Sequence, residues 1–127
     1  MKLGALVIDT PNALLLAEFY QKLLGWKLEI QEYEDEKWVI LKSENSTDLP
    51  LVFQEEENFI APKWPTKKNS FQQMMHLDFY VSKATYQEEI DYALSLGASI
   101  SKTQFTDLWK VMLDPVGHPF CIIPLPE

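Results

Sequence analysis

The spacing of apolar and polar positions changes period in the same order twice along the chain. Residues 4–26 read GALVIDTPNALLLAEFYQKLLGW, and residues 75–98 read MHLDFYVSKATYQEEIDYALSLGA. Each stretch is a short apolar strand, a turn, an amphipathic helix, then Leu-Gly and a return to extended sequence. The echo continues further on. Trp38-Val39-Ile40-Leu41 answers Trp109-Lys110-Val111-Met112-Leu113, and Leu49-Pro50-Leu51-Val52-Phe53 answers His118-Pro119-Phe120-Cys121-Ile122. A repeat of this length governs the architecture. It also allows each structural position to be inspected twice for chemically useful residues.

Within the first module, residues 3–9 alternate as a strand and end in Asp9-Thr10-Pro11, a helix start with Pro11 at the first helical position, where a missing N–H costs nothing. Ala13, Leu16, Ala17, Tyr20 and Leu23 share one helical face. Gly25 stands where a left-handed terminating residue is wanted. Trp26–Tyr33 and Lys37–Lys42 predict a hairpin around Glu34-Asp35-Glu36, and Leu49–Gln54 a fourth strand. Residues 55–70 are polar and contain prolines, a connector between module one (1–54) and module two (71–127). The second module predicts a strand over Gln72–Val81 and a capping box in Thr85-Tyr86-Gln87-Glu88. Its helical stripe is Tyr86, Ile90, Ala93 and Leu94, ended by Gly97. Strands over Ser99–Gln104, Trp109–Asp114 and Pro119–Pro124 follow, with Asp114-Pro115-Val116-Gly117 as turn chemistry. The expected order is βαβββ twice, an α+β class. A module of about sixty residues is marginal alone, so residues 1–127 are expected to form one domain around a shared core.

Composition narrows the function. The 46% hydrophobic and 13% aromatic content suits a packed domain. No apolar run is long enough for a membrane helix, and MKLGALVID enters a strand pattern without a signal-peptide layout. A single Cys excludes an internal disulfide. These features predict a cytoplasmic protein with no membrane partner. The formal charge of −8 disfavours nucleic acid, whose binding requires Lys and Arg to neutralise phosphates. Acid gathers in Glu29, Glu32, Glu34, Asp35 and Glu36 and in Glu55-Glu56-Glu57, both expected as solvated loops. Lys63, Lys67 and Lys68 beside Trp64 make a basic patch too short for a nucleic-acid surface. Phe59, Trp64 and Phe71 are expected as an exposed apolar patch of the kind that marks interfaces, and a homodimer is expected.

Four segments carry a family resemblance: Phe19-Tyr20-Gln21-Lys22-Leu23-Leu24-Gly25-Trp26, Met75-His76-Leu77-Asp78-Phe79, Leu96-Gly97-Ala98, and Asp114-Pro115-Val116-Gly117-His118-Pro119-Phe120-Cys121. In this order they resemble the vicinal oxygen chelate superfamily, the glyoxalase/bleomycin-resistance/dioxygenase group, and most of all its glyoxalase-like domain branch. The resemblance implies that each module curves its strands into a half-barrel with the helix outside, around a concave cavity. It implies, in many members, a divalent metal held by His, Gln or Glu on the first and last strands of each module. Implied activities range from isomerases, epimerases, dioxygenases and thiol transferases to metal-free drug-sequestering proteins, so fold membership does not choose a reaction.

Carried onto this chain, the four ligand positions are Ala5, Val52, His76 and Cys121. Ala5 and Val52 have no donor atom. A site for a hard cation wants several oxygen or imidazole ligands, and only recruitment of Gln54 or Asp78 would raise the number of donors to three or four. No cofactor and no conventional catalytic metal are therefore expected. By alternation His76, Asp78 and Tyr80 share one strand face while Leu77, Phe79 and Val81 share the other and pack under the helix. An Asp beside a His can hold its tautomer and raise its basicity, which serves general-base chemistry or a polar binding wall. Cys121 is expected to be buried as a small hydrophobe, with no cation to lower its pKa. Trp38 and Trp109 are expected as core or pocket wall, and His118 as exposed. The expected function is small-molecule binding at His76, Asp78, Tyr80, Gln54, Cys121 and Trp109. The alternatives are a metal-dependent lyase, isomerase or dioxygenase with an atypical ligand set, or a catalytically silent partner subunit.

Overall fold

The structure, a computed structural model, describes residues 1–33, 36–45, 47–72 and 74–126, with backbone alone for 33, 36 and 37. The chain divides into two units, Met1–Phe59 and Ile60–Glu127. The first holds β1 (Leu6–Thr10), α1 (Ala13–Leu24), β2 (Lys27–Tyr33), β3 (Glu36–Lys42) and β4 (Leu51–Glu55). The second holds β5 (Leu77–Ser82), a 3-10 turn (Lys83–Thr85), α2 (Tyr86–Ser95), β6 (Ser99–Ile100), β7 (Lys110–Leu113) and β8 (Pro119–Leu125). Each unit is βαβββ, and the class is α+β as expected. Residues 34 and 35 of the expected β2–β3 turn lie outside the described residues. Among the described residues no helix is long and apolar enough to cross a membrane.

The sheets run β1-β4-β3-β2 and β5-β8-β7-β6. In each, the first strand pairs parallel with the last, and the other pairs are antiparallel. The parallel pair needs the helix as its crossover. The repeat seen in sequence is also a repeat in register. Val7 pairs with Val52 as Asp78 pairs with Cys121, and Ile40 pairs with Val52 as Val111 pairs with Cys121.

The first core follows the expected period; on α2 Ile90 and Ala93 do, while Leu94, expected on the same stripe, is exposed and Tyr86 is half-buried. In the first unit α1 buries Ala13, Leu16, Ala17, Phe19 and Tyr20, and the strands bury Val39, Leu41, Leu51 and Phe53. The Tyr20 ring stacks 5.8 Å from Phe53. In the second unit Ile90 and Ala93 are buried, as are Val111, Met112, Phe120, Cys121 and Ile122, and Phe79 packs edge-on to Phe120 at 5.7 Å. β8 buries four consecutive residues, Pro119–Ile122, whereas the equally central β4 alternates.

Several ends differ from expectation for local reasons. Pro11 is not the first helical residue. Asn12 takes the N-cap, its side chain accepting from the Leu15 N–H at 3.1 Å, because an Asn oxygen satisfies an otherwise orphaned donor. The Glu55 carboxylate, expected in a solvated loop, accepts from the Ala13 N–H at 3.3 Å, where negative charge is favoured by the helix dipole. The capping box at Thr85 does not form. The 3-10 turn leaves Thr85 at φ −107°, ψ 5°, without a side-chain cap hydrogen bond, and its hydroxyl donates to the Ser82 carbonyl instead. The strand expected over Ser99–Gln104 stops at Ile100. The Gln104 side-chain amide bonds both Val111 backbone groups, at 2.8 and 2.9 Å, and so replaces a rung of the ladder. The strand expected over Gln72–Val81 begins at Leu77. Phe59 and Trp64, expected to be exposed, are half-buried, and Phe71 is exposed.

Gly25 closes α1 in the left-handed region, φ 69°, with its N–H on the Gln21 carbonyl. A Cβ there meets nothing within 4 Å, whereas one at Gly117 (φ 102°) lies 3.0 Å from the Ala61 side chain. Gly25→Ala therefore carries only the backbone cost, about 1–2 kcal/mol. Gly117→Ala adds a steric cost and destabilises more. Urea unfolding of both variants checks the order.

Candidate functional site

The site grows from the strand period of β5. Leu77, Phe79 and Val81 are half-buried, while Asp78, Tyr80 and Ser82 are exposed on the other face. His76 stands immediately before β5 and continues the Asp78 face, its Nε2 3.2 Å from Asp78 Oδ1. The parallel ladder then sets Cys121 of β8 opposite Asp78. The donor atoms of His76, Asp78 and Cys121 all lie within 4.8 Å of one another. One imidazole, one carboxylate and one thiol thus meet on a single sheet.

Cys121 is 5% exposed. Burial, first, and then the charge and hydrogen bonding of Asp78 push its thiol up to about 11. A thiol so placed keeps its proton at neutral pH and is a poor nucleophile. His76 and Asp78 remain open to solvent, at 36% and 41% side-chain exposure.

A residue outside the expected set closes one side. The Trp64 ring lies 5.8 Å from the His76 ring at 61° and 6.3 Å from Phe105. Its Nε1–H is shielded from solvent and has no hydrogen-bond partner among the described residues. Trp64 reaches His76 from an irregular segment joined to the strand entry by the Lys63–Gln72 bridge and the Lys63 N–H to Phe71 carbonyl bond. Periodicity carries no signal for such an approach.

The other expected site residues are distributed more widely. Tyr80 stands one pleat beyond Asp78 on the same face and is exposed. Trp109 is part-exposed just before β7, and the indole against His76 is Trp64. Gln54 sits on β4 of the first unit, paired with Asp9 and Trp38. His118 is not exposed as expected. Its Nδ1 is 2.8 Å from Asp114 Oδ2, and the buried Asp114 carboxylate also accepts from the Val116 and His118 N–H groups. That cluster organises the β7–β8 turn.

The register tests the family-type metal site directly. The counterpart of the Asp78–Cys121 pair in the first unit is Val7–Val52, and Ala5 precedes β1 as His76 precedes β5. The first unit therefore offers aliphatic side chains at each of these positions. A metal held by donors from both modules at these positions does not fit this chain.

Residues 5–123 match the family described as glyoxalase-like domain. The chain belongs to the glyoxalase-like domain family, within the vicinal oxygen chelate superfamily. No curated protein matches it in sequence. Solved structures match over nearly its whole length. One is a glyoxalase/bleomycin resistance protein/dioxygenase family enzyme from Burkholderia phytofirmans, 18% identical, TM-score 0.72, covering 99% of this chain and 100% of that one. Another is a glyoxalase family protein from Enterococcus faecalis, 19% identical, TM-score 0.68, with 96% of each chain covered. A third is a mutant of the fosfomycin resistance protein FosX from Listeria monocytogenes, complexed with Mn(II) and a dihydroxypropylphosphonic acid. It is 11% identical, with TM-score 0.73, and the match covers 98% of this chain and 93% of that one. At these identities the likeness is one of fold.

The raised thiol pKa has two measurable consequences. At pH 8 Cys121 should react with a disulfide reagent roughly two orders of magnitude more slowly than a free thiol of pKa about 8.5. Asp78→Asn, which removes the carboxylate charge, should speed the reaction. The unfolded chain loses this proton near a free thiol's value of about 8.5, and the folded chain near 11. The folded state therefore holds more protons across that window, and stability falls as pH rises through it. Cys121→Ala should remove this part of the alkaline decline, read by urea unfolding at pH 8, 9.5 and 11.

Proposed function

We propose that this chain is a small-molecule-binding protein of the glyoxalase/bleomycin-resistance type that does not use the family's conventional metal. The observation that carries this reading is the asymmetry between the modules. His76, Asp78 and Cys121 converge in the second, while their first-module counterparts are Ala5, Val7 and Val52. The ligand is a planar or aromatic molecule. It lies against the Trp64 and Tyr80 rings and hydrogen-bonds the imidazole and carboxylate. Trp109 belongs to the same reading as a further wall residue. His76 beside Asp78 is a base held in place, which supports proton transfer on a bound ligand as the second reading. The free thiol of Cys121 fits a reducing compartment, in keeping with a cytoplasmic location. Exposed Phe71, Met74, Met75, Phe105 and Leu108 supply apolar surface for a homodimer, checked by sedimentation at micromolar concentration.

Two measurements test the reading. Isomerisation of the methylglyoxal–glutathione adduct should be absent with added nickel, zinc or manganese, and turnover that is lost in His76→Ala would replace binding with catalysis. Planar aromatic acids and phenols, screened by quenching of Trp fluorescence, should yield a ligand. His76→Ala should weaken it by about 1–3 kcal/mol, the usual cost of leaving a polar partner unsatisfied.

A further inference from the structure

The chain has two histidines, and each meets a carboxylate through a different ring nitrogen. His118 turns Nδ1 to Asp114 Oδ2 at 2.8 Å. His76 turns Nε2 to Asp78 Oδ1 at 3.2 Å. A neutral imidazole has one N–H and one lone pair. A lone pair set against a carboxylate oxygen is repelled and an N–H is attracted, so the carboxylate decides which nitrogen carries the proton. In His118 that nitrogen is Nδ1, and in His76 it is Nε2. The lone pair of His76 is left on Nδ1, and among the described residues no group hydrogen-bonds that atom.

We infer that His76 Nδ1 is a hydrogen-bond acceptor fixed by Asp78, and that the face these residues share selects aromatic ligands that donate an un-ionised O–H or ring N–H. This rests on the small-molecule-binding function proposed above and names the ligand class which that function leaves open.

The surroundings point the same way. A carboxylate only accepts. Asp78 takes the Nε2 side of His76 and a hydrogen bond from the protonated Cys121 thiol, so both of those donors are spent inside the protein. The Trp64 ring, 5.8 Å from the His76 ring at 61°, packs against the imidazole and limits its turning. Both His76 and Asp78 remain partly in solvent, and Tyr80 lies exposed on the same face as Asp78. A ligand lying against Tyr80 thus meets acceptors at Nδ1 and at the remaining Asp78 lone pairs. A ligand with a donor pairs with them. A ligand with only acceptors sets lone pair against lone pair and leaves both groups unsatisfied. An anionic ligand meets the Asp78 carboxylate as a like charge.

Long-range proton–nitrogen correlation spectra of the isotope-labelled full chain at pH 8 read the tautomers directly. The expected result is a protonated Nε2 and a bare Nδ1 for His76, and the reverse for His118, with His76→Ala assigning the signals. A protonated Nδ1 at His76, or equal populations of the two forms, overturns the inference whatever the protein binds. Equilibrium dialysis with 2-naphthol, 2-methoxynaphthalene and 2-naphthoate reads the selection. 2-Naphthol should bind about 3- to 10-fold more tightly than its methyl ether, the worth of one net hydrogen bond, and more tightly than the carboxylate. His76→Ala should erase the preference for 2-naphthol over the ether. Asp78→Asn offers Nε2 either an amide oxygen or an amide N–H, so His76 should populate both tautomers. The preference should then fall toward unity, and 2-naphthoate should gain. A merely structural Asp78 would instead change all three affinities together. Equal wild-type affinity for 2-naphthol and its ether overturns the donor selection and spares the binding function. Failure of all three probes to bind, with the expected tautomers observed, sinks the binding function and the selection with it.

Discussion

The parallel pairing of first and last strand in each module is the constraint from which the rest follows. A parallel pair cannot be closed by a tight turn. The chain must leave β1, cross as α1, descend through β2 and β3, and return as β4 beside its starting strand. The second module repeats the path. This closure places β4 and β8 between two neighbours, so that both of their backbone edges are hydrogen-bonded. It also brings the strand entry, where His76 lies, beside the strand that ends the chain.

The same constraint makes the two modules a matched comparison. Their registers agree position by position, so a chemical difference between them is not a difference of backbone. Where the first sheet carries Val7 and Val52, the second carries Asp78 and Cys121. The second sheet holds a partly exposed carboxylate against a buried thiol, an arrangement that keeps the thiol protonated, where the first sheet has an exposed Val7 beside a half-buried Val52. The first module supplies the fold without that chemistry.

Side chains finish what the backbone leaves open. Asn12 and Glu55 satisfy the start of α1. The Gln104 amide substitutes for a strand rung beside Val111. Asp114 gathers three donors of the β7–β8 turn, including the His118 ring. Each exchanges an orphaned backbone group for a side-chain partner, which is why these ends depart from propensity-based boundaries.

Features that repeat with the backbone period were legible in the sequence. The βαβββ order, the buried face of α1, the left-handed Gly25, and the common face of His76, Asp78 and Tyr80 all follow from spacing within a few residues. So did the correspondence of Ala5 with His76 and of Val52 with Cys121, because a tandem repeat carries its register with it. Other features needed the tertiary structure. The first helical residue moved from Pro11 to Ala13, with Asn12 as the cap, and the expected Thr85 box gave way to a 3-10 turn, because local side-chain hydrogen bonds compete with propensity. Asp78 met Cys121 through strand register across a long stretch of chain, and Trp64 came to His76 from an irregular segment with no period to read. Local spacing reports which face a residue takes on its own strand or helix. Which distant residue shares that face is decided when the strands pair and the core closes.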